Sequence, residues 1–315
     1  MNLPELKIGK LIAKVPIIQG GMAVRLSTST LAAAVANEGG IGIIAGSGMS
    51  PEELRAEIQR ARTLTSGIIG VNIMFAVSAF ADLIKTAIEE RIDLIISGAG
   101  FSRDMFGWGK DAGIPIVPIV STDKLAKISE KLGAAAVVLE GKEAGGHLGT
   151  DFSVYELLPL VRKAVKIPVI AAGGIVEGKD IAEAFRLGAD GVQMGIRFAA
   201  SKESNAAENL KQVYLNATRE DIILIDSPVG LPGRAIKNEF TDKIAAGKVR
   251  ITNRCAQCLK ECARNFCIME ALENAQKGNL ADGLIFSGEY VGKIKEILSV
   301  KEIIHTLLQE VAECV

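Results

Sequence analysis

Eight short runs of apolar, mostly β-branched residues follow one another at regular intervals, and that recurrence narrows the possible fold more than any other feature of the chain. They lie at Val15–Ile18, Ile41–Ile44, Ile68–Asn72, Asp93–Ser97, Pro115–Val120, Ala135–Glu140, Ile167–Ala171 and Asp190–Met194. Each is close to continuously apolar rather than alternating, the pattern of strands covered on both faces in a parallel sheet. Between them, Ser27–Glu38, Pro51–Leu64, Ala79–Glu90, Asp123–Leu132, Ser153–Val165 and Gly178–Leu187 carry helical spacing. Pro51 after Ser50, with Glu52 and Glu53 behind it, is a helix start. Gly133 and Gly188 stand where C-terminal caps are needed.

Eight β–α repeats predict an α/β fold, a TIM (β/α)8 barrel, with a doubly wound open sheet as the alternative. The rhythm breaks after residue 201. A helical stretch, a loop over Asp226–Gly233, a Cys-rich segment and an amphipathic helix near Ser299–Val311 follow. The expected organisation is a barrel over 1–201, a small, mostly helical C-terminal cap insertion over 202–287, and helices over 288–315 that return to the barrel wall.

Hydrophobic residues make up 49% of the 315, enough to bury a sizeable core. The 36 Lys and Arg against 37 Asp and Glu leave a net charge of -1, which argues against a nucleic-acid or anionic-membrane partner. No apolar run reaches the roughly 18 residues of a membrane span. The opening MNLPELKIGKLIAKVP lacks a secretory pattern, so a cytoplasmic location is expected, with the five cysteines as thiols or ligands.

In such a barrel, chemistry sits at the C-terminal ends of the strands. Glycines gather there: Gly20 and Gly21 before Met22, Gly46 and Gly48, Gly98 and Gly100, Gly145 and Gly146, Gly173 and Gly174, and Gly195. Gly173 and Gly174 would offer a phosphate bare backbone N–H groups, and a short helix after strand eight would add its positive end. His147 is one of only two histidines and follows a glycine-rich turn on this rim. It is a candidate base or hydrogen-bond donor near neutral pH. His305, in the last helix, reads as a packing or surface residue. Cys255, Cys258, Cys262 and Cys267 form C-x2-C-x3-C-x4-C. The alternatives are a zinc or iron–sulfur site of structural purpose, or small buried thiols; no metal ligand is assigned.

Pro16–Met22, Gly70–Met74, Glu140–His147, Ala171–Ile175 and Val192–Gly195 together resemble the nitronate monooxygenase family (formerly 2-nitropropane dioxygenases) and, equally, the flavin-dependent enoyl-ACP reductase II enzymes of the same superfamily. The resemblance covers about residues 8–240. It implies an FMN-binding barrel with the phosphate on Gly173, Gly174 and Gly195. The ring would lie near Gly20, Gly21, Met22, Asn72, Gly145 and Gly146. Glu140 matches an acidic position at the end of strand six, and His147 matches the family's active-site histidine. Ile196 departs from the family pattern, which often has Thr there, but it keeps its backbone N–H for the cofactor. The Cys-rich cap is a second departure.

The resemblance implies an FMN-dependent oxidoreductase, with nitronate oxidation by dioxygen ranked first. The alternative is reduction of an enoyl thioester, NAD(P)H acting as reductant and acyl carrier protein as partner. Arg234, Lys237 and Asn238 are then candidates to recognise an anionic group, the alternative being an ordinary solvated charged turn. Pairing into a homodimer is expected from the same resemblance. A regulatory module whose cysteines sense redox state is a third reading, from another class.

Overall fold

The computed structural model describes residues 3–249 and 255–314. Met1, Asn2, the stretch 250–254 and Val315, which the expected ranges include, lie outside the described residues. Eight parallel strands form the central sheet: β3 (Ile17–Gln19), β4 (Gly42–Ala45), β5 (Ile69–Met74), β6 (Leu94–Gly98), β7 (Ile116–Val120), β8 (Val137–Glu140), β10 (Val169–Ala172) and β11 (Gly191–Met194). Their order is β3-β11-β10-β8-β7-β6-β5-β4. A parallel bridge between Ile18 and Ile41 joins the two ends. There the Gln19 N–H donates to the Ile41 carbonyl and the Ile41 N–H to the Ile17 carbonyl, each at 3.0 Å. That closure makes a barrel and excludes the open sheet.

The eight apolar runs are these eight strands. Each is buried on both faces because side chains fill the barrel on one side and helices cover the other. The helices α1 (Ser29–Asn37), α2 (Pro51–Leu64), α3 (Phe80–Glu89), α5 (Asp123–Leu132), α6 (Val154–Ala164) and α7 (Gly178–Arg186) lie where the spacing placed them. Ser50 caps α2 by accepting from the Glu53 N–H, and Gly133 ends α5 in the left-handed region at φ 96°. Helix–strand contact is tightest at Gly42, where an added Cβ would stand 1.8 Å from the Ala32 carbonyl oxygen of α1.

Two elements of the barrel escape the sequence pattern. Helix α4 (Arg103–Ala112) is weakly apolar and holds two glycines, although Ser102 caps its start and Gly113 its end. An antiparallel hairpin, β1 (Leu6–Ile8) with β2 (Leu11–Ala13), plugs the N-terminal mouth. Its Leu6, Ile8 and Ala13 pack among the inward-facing Ile18, Ile43, Leu94 and Val138.

The single turn α8 (Ile196–Ala199) follows β11, and α9 (Glu208–Asn216) begins the cap. The cap then adds strands to its helices. β12 (Ile222–Asp226) pairs antiparallel with β13 (Pro232–Ile236), which pairs in turn with β9 (Gly146–His147). The loop expected over Asp226–Gly233 is therefore shorter, because Asp226 and Pro232 already pair across the turn. β13 has a local partner in β12 and a second some 90 residues away, as the pairing of Arg234 with Gly146 shows, and only that second pairing lies beyond a local pattern. α10 (Glu239–Ala245) and α11 (Ile268–Gln276) complete the cap. The last helix, α12 (Val300–Glu313), buries Val300, Ile303, Ile304, Leu307 and Val311 against the barrel. It lies between α7 and α1, the position of an eighth barrel helix. Among the described residues, no helix is long and apolar enough to cross a membrane.

Candidate active site

The strand ends and the cap enclose a cavity of about 270 Å³. All twelve residues singled out above line it: Gly20, Gly21, Met22, Asn72, Glu140, Gly145, Gly146, His147, Gly173, Gly174, Gly195 and Ile196. They come from five strand ends, because a parallel barrel brings every strand's C-terminus to one rim. Gln19 pins the first rim loop. Its Nε2 donates to Ser27 Oγ at 2.9 Å, and its Oε1 accepts from the Ile43 N–H at 3.1 Å.

Sequence reasoning missed the outer wall. Ile268, Met269 and Leu272 of α11, together with Phe286, Ser287 and Tyr290, close the cavity from the cap. Nothing in their local pattern separates them from ordinary core residues. Gln193 and Ser47 had a usable signal, since both are polar positions at or beside a strand end.

His147 is anchored on both sides. Its backbone pairs with Gly233 through β9 and β13. Its Nε2 lies 2.8 Å from Ser227 Oγ, and the Phe286 ring stands edge-on at 5.2 Å between centroids. Burial holds the imidazole well below its ordinary range, at about 4. The ring is therefore neutral at pH 7 and a weak base, which narrows the expectation to hydrogen bonding.

Glu140 ends β8 facing the cavity, with no hydrogen-bond partner among the described residues. Burial pushes its carboxyl up to about 8, so it is protonated at neutral pH. Asn72 donates from Nδ2 to the Gly21 carbonyl at 3.2 Å. Its Oδ1 and the Gln193 Oε1 are buried without a partner. No Lys or Arg among the described residues lines the cavity.

Arg234, Lys237 and Asn238 hold the cap together instead of lining the cavity. Arg234 Nη2 donates to the Lys142 carbonyl at 2.7 Å. The Lys237 N–H donates to the Asp221 carbonyl at 2.7 Å. Asn238 caps α10 through Thr241 and donates to the Leu280 and Gly283 carbonyls. The cysteines of the cap are free, Cys255 and Cys262 exposed and Cys258 and Cys267 half-buried. Among the described residues, no group of three or more His, Cys, Asp or Glu side chains is arranged to hold a metal ion. The segment docks instead through a bridge between Leu259 and Val77, and Cys267 leads directly into the cavity-lining α11.

A family model described as nitronate monooxygenase matches residues 5–310. Among curated relatives, the (3aS,4S,5R,7aS)-5-hydroxy-7a-methyl-1-oxo-octahydro-1H-indene-4-carboxyl-CoA dehydrogenase of Rhodococcus jostii is 34% identical over 229 residues, covering 73% of this chain. The match spans 64% of that relative, just under two thirds of its length. A probable nitronate monooxygenase of Staphylococcus aureus is 32% identical over 275 residues, covering 73% of this chain and 77% of the relative. FabK from Thermotoga maritima superposes with a TM-score of 0.87 at 38% identity, covering 95% of this chain and 93% of that one. Nitroalkane oxidase from Streptomyces ansochromogenes superposes at 0.82 with 25% identity, covering 95% and 96%.

Proposed function

This chain belongs to the nitronate monooxygenase family, and from that premise we propose that it is an FMN-dependent oxidoreductase that reduces the conjugated double bond of an enoyl thioester, with NAD(P)H as electron donor. The observation that carries this reading is the charge of the cavity. Its wall holds no Lys or Arg among the described residues, its histidine is neutral, its Glu140 is protonated, and its other carboxyl group, Glu143, accepts from the Val154 N–H. That environment suits a neutral substrate over the flavin, since a nitronate bound beside His147 would meet no side-chain cation among the described residues.

The residues present fit FMN. Gly173 and Gly174 turn through φ 97° and 73°, and a methyl group on Gly174 would stand 3.0 Å from Glu143 and Tyr290. Bare backbone in that conformation suits a phosphate. Ile196 opens the turn after β11, so its N–H has no earlier acceptor in that turn. The unpartnered Asn72 Oδ1 and Gln193 Oε1 call for a ligand N–H, which a flavin ring carries alongside its carbonyls. The protonated Glu140 supplies a further donor.

When bound, reduced FMN supplies a hydride to the substrate's β-carbon. Negative charge then gathers on the thioester oxygen and needs a donor, the role we give the neutral His147, and a proton taken up from solvent at the α-carbon completes the reduction. Met74, Ile268, Met269, Leu272 and Phe286 form an apolar wall that keeps water from the reacting carbon and accepts the acyl chain. In this reading the thioester is carried by acyl carrier protein or coenzyme A. The named substrate of the Rhodococcus relative is itself a coenzyme A thioester, which supports a thioester substrate here.

Nitronate oxidation is the second reading, favoured by the named activity of the Staphylococcus relative and by the nitroalkane oxidase likeness. Steady-state assays separate the two. Our reading expects NAD(P)H consumption that depends on a trans-2-enoyl thioester. Oxygen uptake with a nitronate, and no thioester-dependent oxidation of NAD(P)H, would overturn it.

A further inference from the structure

We propose that Ser227 is a positioning residue that fixes His147 in the tautomer with its proton on Nδ1, so that the ring offers the cavity a donor rather than a base. The catalytic use of that donor rests on the functional reading above; the tautomer itself does not.

Ser227 is buried, 4% exposed, in the turn between β12 and β13. Three contacts define its surroundings. Its Oγ lies 2.8 Å from His147 Nε2. The Val229 N–H donates to the same Oγ at 3.4 Å, and the Gly230 N–H donates to the Ser227 carbonyl at 3.0 Å. A hydroxyl has one proton to give and two lone pairs to accept with. Val229 occupies one lone pair. If Nε2 also donated, the hydroxyl proton would be left without an acceptor in a buried turn. If the hydroxyl donates to Nε2, every group of the turn is met, and the one donor left over is the ring's own Nδ1–H.

Nε2 is then an acceptor, and a neutral imidazole must carry its one proton on Nδ1. No described residue hydrogen-bonds Nδ1, and the ring lines the cavity. The edge of Phe286 limits ring rotation. The hairpin that carries Ser227 also pairs with the His147 backbone, so one element sets both the position of the ring and its proton. A ring protonated this way serves a carbonyl oxygen as a donor, and it cannot take a proton from carbon.

Ring nitrogens can be read directly in the full-length purified protein labelled with 15N-histidine, by long-range 1H–15N correlation. The chain has two histidines, and exposed His305 gives the reference signal. We expect His147 to show a protonated Nδ1 and a bare Nε2. Ser227→Ala should move it toward the Nε2–H form, while Ser227→Thr, which keeps the hydroxyl, should retain Nδ1–H. In the same series, kcat for the enoyl thioester should fall about 10–100-fold with Ala and recover with Thr. An Nε2–H ring in the wild-type protein overturns the proposal even if Ser227→Ala does not fold. So does a Ser227→Ala ring that keeps its proton on Nδ1. A wild-type ring with Nδ1–H in a protein that does not turn over enoyl thioesters would instead sink the functional reading and leave Ser227 in its place.

Discussion

Replacing Glu140 with Gln should change how stability depends on pH, and by an amount the structure sets. The carboxyl is pushed from 4.5 to about 8 by burial. A carboxyl whose pKa rises on folding binds its proton more tightly in the folded state. Its contribution is full below 4.5 and is lost as pH climbs toward 8. His147 works in the opposite sense. Folding lowers its pKa from 6.5 to about 4, so its contribution is full above 6.5 and is lost as pH falls toward 4. Between 4.5 and 6.5 the two slopes oppose each other. From 6.5 to 8 Glu140 acts alone of the two, at about 1.4 kcal/mol per pH unit, or about 2 kcal/mol over the window. Guanidinium unfolding of the flavin-free protein, at constant ionic strength across that range, measures the slope without a ligand's own linkage. Wild-type stability should fall by about 2 kcal/mol between pH 6.5 and 8, and Glu140→Gln should be nearly flat there. If the variant loses the same amount, the buried carboxyl is not the source and Glu140 is ionised in the folded protein.

Other substitutions probe separate parts of the account. His147→Ala should lower kcat by about 10²–10³ while leaving bound flavin in place, the pattern of a lost transition-state donor; rapid gel filtration followed by a visible spectrum checks the flavin. Gly174→Ala adds a methyl group 3.0 Å from Glu143 and Tyr290 at φ 73° and should weaken FMN binding by about 1–3 kcal/mol, read by fluorescence titration. Gly42→Ala drives a methyl group into the Ala32 carbonyl and should cost about 3 kcal/mol or more of stability, with lost soluble yield as its first sign.

Much of the barrel was legible in the sequence because parallel strands covered on both faces leave continuous apolar runs, and glycines mark where they end. Rim residues such as Gly173, Gly174 and Asn72 could be placed together from topology alone, since the barrel gathers all strand ends on one side. Sequence could not show what depends on distant pairing. Ser227 meets His147 across 80 positions of chain, and β13 meets β9 through Gly233 and His147. The N-terminal hairpin carried at most half a signal, since Leu6-Lys7-Ile8 alternates before Gly9-Lys10 but Leu11-Ile12-Ala13 is apolar throughout. Helix α4 was hidden by Gly107 and Gly109, the second of which lets the helix approach Ile116. Burial, rather than residue type, is what narrows His147 from a candidate base or donor to a neutral imidazole.

An anaerobic half-reaction tests the central claim most directly. The protein is purified, reconstituted with FMN and freed of oxygen, and its visible spectrum is followed as NADH or NADPH and then a trans-2-enoyl thioester are added. The account predicts bleaching of the flavin bands by the nicotinamide and their return when the thioester is added, with no oxygen present. A spectrum untouched by either nicotinamide but bleached by a nitronate would contradict it.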